Sequence, residues 1–127
     1  MISHLMLGAN DPVASATFYE AVLGPLGYKR AFEFGGRVGF SCGEGTPPLI
    51  VGKPGDDGQA SFGNGTMFGF RGKDPEVVQA AWNAGLANGG KDEGAPGPRP
   101  MGPPGTYAAY LRDPTGNKIG IFCTVAS

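Results

Sequence analysis

An α+β domain made of two tandem modules, each a strand, a capped helix and then two or three further strands, is predicted by three features of the 127-residue sequence. The first is an ungapped internal repeat at a spacing of 63 residues, in which SHLMLGANDPVASATFYEAVLGPLGY (3–28) aligns with TMFGFRGKDPEVVQAAWNAGLANGGK (66–91). Asp11-Pro12 falls on Asp74-Pro75, Ala21 on Ala84, Leu23 on Leu86, Gly27 on Gly90 and Tyr19 on Trp82. The second is that both copies set the same devices in the same order: a short apolar run, a helix-start signal and a glycine stop. The third lies near the end of the chain. There an aromatic run, the turn Asp113-Pro114-Thr115-Gly116-Asn117 and a short apolar run read as a hairpin.

Taken in order, residues 4–7 have the length and apolarity of a strand. Asp11 suits a helix N-cap, and Pro12 suits the first turn, where a missing N–H costs nothing. Tyr19, Val22, Leu23 and Leu26 then share one helical face, and Gly27 is placed to end the helix in a left-handed conformation. Residues 31–34 and 37–42 flank Gly35-Gly36 as a hairpin, and Leu49–Gly52 follows the Thr46-Pro47-Pro48 break as another strand. In the second copy residues 67–70 read as a strand. Asp74-Pro75 starts a helix with Val78, Ala81, Trp82 and Gly85 on its inner face, and Gly89-Gly90 ends it. A short strand near Lys91-Asp92 is expected next, then a Gly/Pro-rich loop over residues 94–105, then strands at Thr106–Arg112 and 118–123. One domain is expected over 1–127, with modules at about 1–55 and 64–127.

The 24 glycines and 12 prolines concentrate in residues 43–65 and 89–105, between the patterned parts, so they read as loops of a folded domain. Net charge is −1 with no run of like charge, which argues against a nucleic-acid footprint. No apolar stretch approaches a membrane span or a signal-peptide core, so a cytoplasmic setting with Cys42 and Cys123 reduced is expected, without membrane partners. Asn64-Gly65-Thr66 has the form of a glycosylation acceptor but reads as a turn before a strand.

Through FYEAVLGPLGY in the first helix and YAAYLRDPTGNKI in the closing hairpin, the chain resembles the vicinal oxygen chelate superfamily. That superfamily includes glyoxalase I, bleomycin-resistance proteins and extradiol dioxygenases. The resemblance covers essentially the whole chain. It implies two tandem βαβββ modules whose curved mixed sheets enclose a pocket, commonly in a homodimer.

In metal-dependent members, the resemblance further implies one ligand on the first and one on the last strand of each module. His, Glu and Gln are the usual types, holding a divalent ion that acts as a Lewis acid. Carried over residue by residue, His4, the only histidine, stands at the first of these positions. The second is Met67, whose thioether is a poor ligand for a hard cation. The third is Gly120, and Leu49-Ile50-Val51 offers no donor for the fourth. No metal is therefore expected, with Zn, Ni, Mn or Fe as the family alternative.

Strand parity places His4, Met6 and Gly8 on one face, with Met67, Gly69 and Arg71 in the second module and Gly120 and Phe122 on the last strand. The expected ligand pocket is His4, Met6, Met67, Arg71, Tyr107, Gly120 and Phe122, a surface for an apolar or planar molecule. Tyr107 and Tyr110 lie on opposite faces of their strand, and the sequence leaves open which one faces the pocket. Arg37, Arg71, Arg99 and Arg112 are candidates for a carboxylate or phosphate, Arg112 being read as structural because it precedes the turn. Tyr19 and Trp82 are read as core anchors. His4 is a pocket residue by this reading, and the best candidate if there is a general base. Residues 43–46 are a turn, not a phosphate loop. The function expected is binding of a small organic molecule by a glyoxalase/bleomycin-resistance-like protein without the metal site. The alternatives are a lyase, isomerase or dioxygenase working without metal or with a set including His4, Glu33 or Glu44, and an antibiotic-sequestering resistance protein.

Overall fold

Both Asp-Pro pairs start a helix in the computed structural model, which describes residues 1–126. The Asp11 carboxylate accepts the Ala14 N–H at 3.1 Å at the head of α1 (Pro12–Leu23), and Asp74 accepts the Val77 N–H at 2.9 Å at the head of α2 (Pro75–Ala87). In each, proline occupies the first turn, where its absent N–H leaves no bond unmade. A short 3-10 turn (Gly24–Leu26) extends α1 to Gly27, whose φ of 94° needs a residue without a Cβ. After α2 the left-handed residue is Gly89, at φ 92°, and not its aligned neighbour Gly90.

The strands are β1 (Leu5–Gly8), β2 (Lys29–Phe34), β3 (Arg37–Ser41) and β4 (Leu49–Gly52) in the first module. In the second they are β5 (Phe68–Arg71), β6 (Lys91–Pro98), β7 (Thr106–Arg112) and β8 (Lys118–Thr124). Sheet A has the order β1-β4-β3-β2 and sheet B the order β5-β8-β7-β6. In each, the first and last strands of the module pair in parallel and the others antiparallel. The internal repeat is thus a repeat of topology, and the two mixed sheets are not joined into a closed barrel.

Two expectations are corrected. The loop expected over residues 94–105 begins only after Pro98, because β6 runs through Gly94, Pro96 and Gly97. Its ladder with β7 shifts register between Asp92 and Gly94 and again between Gly94 and Gly97. An edge strand tolerates proline and irregular pairing, since only one side of it is bonded. The leading strands also begin one residue later than expected, so His4 and Met67 precede β1 and β5 and do not belong to them.

Both helices cover one face of their sheets, and the modules share a single core. Phe18, Tyr19, Val22 and Leu23 of α1 meet Val78 and Ala81 of α2 there, with Leu49 and Val51 below one helix and Leu111, Ile119 and Ile121 below the other. Gly85 is the point of closest approach. A Cβ there would lie 2.6 Å from Leu111 Cδ1, 3.1 Å from Val22 Cγ2 and 3.3 Å from Phe18 Cε1. Alanine is the better helix former by about 1 kcal/mol. The overpacking nevertheless outweighs that gain, and Gly85→Ala is expected to lose about 1–3 kcal/mol in urea denaturation. An unchanged or raised midpoint would show that the helices separate freely.

A second contact joins the modules. Asp113, 3 % exposed, opens the turn between β7 and β8. Its Oδ1 accepts the N–H groups of Thr115, Gly116 and Asn117, each at 2.9 Å. Its Oδ2 accepts the Tyr19 hydroxyl of α1 at 2.7 Å and Asn117 Nδ2 at 2.8 Å, and Asn117 Nδ2 also donates to the Gly8 carbonyl at 2.9 Å. A turn of the second module is thereby tied to both the helix and the first strand of the first.

Candidate functional site

Each sheet turns one face to the helices and leaves the other open. The register assigns the open faces. On sheet A, Met6, Ile50, Gly39 and Phe32 form one cross-strand row, and Gly8, Gly52, Arg37 and Phe34 the next. On sheet B the corresponding rows are Gly69, Gly120, Tyr110 and Gly94, then Arg71, Phe122, Ala108 and Gly97. Large apolar side chains stand exposed on sheet A, among them Met6 at 40 % and Phe34 at 51 %.

On sheet B the glycines are a requirement of packing. The rings of Tyr110 and Phe122 meet edge to face at 5.6 Å between centroids, their planes 83° apart, and reach over the glycines of these rows. A Cβ on Gly120 would stand 2.5 Å from Phe122 Cε1 and 3.1 Å from Tyr110 Cε1; one on Gly94 would stand 2.9 Å from Tyr110 Cδ2. Gly69 is less crowded, with Phe122 Cε1 at 3.2 Å. Bare backbone beneath two mutually perpendicular rings leaves an aromatic corner on the open face.

Cations surround this corner. Arg99 holds its guanidinium 5.3 Å from the Tyr110 centroid, fixed there by bonds to the carbonyls of Ala95 at 2.7 Å and Gly97 at 3.1 Å. Lys118 Nζ is 5.1 Å from the same centroid. Arg71, exposed, stands in register with Phe122. Arg112 donates to Glu93 at 2.9 Å and to the Gly116 carbonyl at 3.1 Å, a structural placement.

Of the residues expected in the pocket, Arg71, Gly120 and Phe122 come together on the open face of sheet B, and Met6 lies on that of sheet A. His4 is exposed ahead of β1, with Nδ1 2.7 Å from the Ser3 hydroxyl. Met67 lines a cavity of about 280 Å3 between the starts of β1 and β5, together with Leu5, Tyr28, Leu49 and Phe68. Burial, and then the neighbouring Cys42, pushes the Tyr28 phenol up to about 12. Tyr107 faces the other way: it pairs with buried Cys123 and packs against the core. There it lines a separate cavity of about 430 Å3 with Pro98, Pro103 and Pro104. Tyr110 is the tyrosine of the open face. The hairpin could have shown this, because a turn pairing Arg112 with Lys118 necessarily pairs Tyr110 with Gly120. Lys118 joins the site through the same register, and no local motif marks it.

The donors for a divalent ion do not assemble. No group of three or more His, Cys, Asp or Glu side chains stands close enough to hold one among the described residues. Glu33 is paired with Arg30 at 3.1 Å, and Glu44 is exposed in the segment after β3. Where the resemblance puts a carboxylate, at Gly120, the volume is filled by Phe122. These residues do not fit a metal. Of the two free thiols, Cys42 is exposed, while Cys123 is buried and its pKa is raised by that burial and by Asp74, as suits an inert core thiol.

Comparisons with known proteins agree with this architecture. The family model described as Glyoxalase/Bleomycin resistance protein/Dioxygenase superfamily matches residues 1–121. A glyoxalase/bleomycin resistance protein from Albidiferax ferrireducens T118 is 38 % identical, with a TM-score of 0.85 over 96 % of this chain and 97 % of that one. A glyoxalase/bleomycin resistance protein/dioxygenase family enzyme from Burkholderia phytofirmans PsJN shares the fold at 20 % identity and a TM-score of 0.76, over 97 % and 98 % of the two chains. Lactoylglutathione lyase from Agrobacterium tumefaciens shares it at 24 % identity and 0.66, over 96 % and 92 %. No curated protein matches the chain.

Proposed function

The chain belongs to the glyoxalase/bleomycin resistance protein/dioxygenase superfamily, and from that membership we propose that it binds a small organic molecule on the open face of sheet B without the superfamily's metal. One observation carries the reading: the ring of Phe122 lies where a side chain at 120 would have to project, and Tyr110 holds that ring in place. A site that gives up its carboxylate and fills the space with an aromatic ring trades ion coordination for contact with a flat apolar body. Met67 in place of a second histidine points the same way. A homodimer belongs to the proposal, because it would cover the exposed Met6, Phe32 and Phe34 of sheet A. So does a cytoplasmic setting; no helix is long and apolar enough to cross a membrane among the described residues.

Elemental analysis of the purified protein, with a thermal-shift panel of small organic molecules before and after chelation, tests this. Substoichiometric metal is expected, with ligand-dependent stabilisation that chelation leaves unchanged, since a ligand that binds only the native state raises its stability by mass action. Stoichiometric divalent metal, with binding lost on chelation, would overturn the reading.

A further inference from the structure

The charges of this chain are segregated in a way its net charge of −1 conceals. Lys91, Arg112 and Lys118 stand in one cross-strand row of sheet B, with Arg71 two rows away and the Arg99 guanidinium over Tyr110 between them. Like charges in a cross-strand row repel one another and destabilise a sheet. Glu93 is committed to Arg112, and Asp92 pairs with Leu111, a residue of the helix side. The ion pairs among the described residues are Arg30 with Glu20 and Glu33, and Arg112 with Glu93, so Arg71 and Lys118 take part in none. Acids are spent elsewhere: Asp11 and Asp74 cap helices, Asp113 is buried, and Glu20 and Glu33 hold Arg30.

A positive field that Glu93 only partly offsets, set around an aromatic corner, calls for an anion. We propose that the open face of sheet B binds an aromatic organic anion, its ring in the corner between Tyr110 and Phe122 and its carboxylate or equivalent oxyanion on Arg71. The inference rests on the small-molecule reading above and names the ligand class. Each part has a reason. Gly69 and Gly120 leave room for the two rings to reach across the strands, which builds the corner that receives the ligand's ring. The Arg71 guanidinium matches a carboxylate or phosphate edge with two parallel N–H donors. Lys118 and Arg99, already turned toward Tyr110, raise the local potential for an anion and disfavour a cation.

The experiment uses three probes with one ring system: 2-naphthoate, 2-naphthalenemethanol and 2-naphthylmethylammonium, titrated by calorimetry into the intact protein. The naphthoate is expected to bind about tenfold or more tightly than the alcohol, and the ammonium most weakly, as charge-assisted hydrogen bonds exceed neutral ones. Arg71→Gln alters an exposed side chain and is expected to reduce the advantage of the anion over the alcohol to about threefold or less. The double substitution Arg71→Gln/Lys118→Gln is expected to abolish it, and Tyr110→Ala to weaken all three probes. The inference is overturned if the alcohol or the ammonium binds as tightly as the naphthoate, if the anion's advantage survives the double substitution, or if the naphthoate fails to bind at millimolar concentration. Tyr110-dependent binding of the alcohol without preference for the anion would sink the ligand class and spare the small-molecule reading; metal-dependent binding of every probe would sink the reading itself.

Discussion

Asp113→Ala is expected to cost about 3–5 kcal/mol of folding stability, enough to lower the melting temperature by about 10–20 °C in a chain of this length. The substitution strips the acceptor from five donors at once. The N–H groups of Thr115 and Gly116 are only half-buried and recover part of the loss, whereas Asn117 is buried. The Tyr19 hydroxyl does not: its ring is fully buried between the modules, so the donor stays dry and unpaired. Tyr19→Phe removes one donor and leaves the carboxylate its other bonds, so about 1–2 kcal/mol is expected. The two variants also differ in alkali. Burial first, and Asp113 second, hold the Tyr19 phenol well above its ordinary value. A group raised in this way contributes stability that is fully present below its unfolded pKa of about 10 and is lost as pH rises toward the folded value. Urea midpoints measured from pH 8 upward should therefore fall in the parent and fall less in Tyr19→Phe, where Tyr28, held up to about 12, and the raised thiol of Cys123 still contribute to the decline. Identical profiles would mean that Tyr19 titrates as freely when folded as when unfolded.

Gly120→Glu, which would restore a carboxylate where the family resemblance expects one, is expected to destabilise the protein by about 1–3 kcal/mol and to confer no tight Zn2+ binding. The obstruction begins at the first side-chain atom, because the new Cβ meets Phe122 Cε1 at 2.5 Å before any carboxylate is placed. The Phe122 ring cannot simply turn aside, since Tyr110 meets it edge to face on one side and Gly69 lies beneath it on the other. Gly120→Ala should consequently show most of the same loss. The double substitution Gly120→Glu/Phe122→Ala should regain stability relative to Gly120→Glu, by coupling between two residues in contact. Melting temperatures of the four proteins decide it. Equal stability of Gly120→Glu and the parent would mean that Phe122 moves at no cost and that the loss of the carboxylate does not close the site.

How much of this was legible beforehand varied with the range of the interaction. Asp-Pro before an amphipathic run is a local device, so both helix starts were readable to the residue. Gly/Pro content misled over β6, because composition reports local preference whereas an edge strand answers to the neighbour it pairs with. The turn Asp113–Asn117 was recognised as a turn from its residue types. Its second role, as an acceptor for Tyr19 across 94 positions of sequence, left no local trace.

By itself the sequence determined the repeat, the two capped helices, the closing hairpin and the positions at which metal donors are missing, because each of these depends on neighbours within a few residues or on identity alone. Tertiary structure alone decided that the place of the absent carboxylate is filled by a ring, and that Lys91 of β6 joins Arg112 and Lys118 in a single row. Those facts arise from register between strands. Register is settled when a whole face is buried at once against the helices, and no short segment carries it.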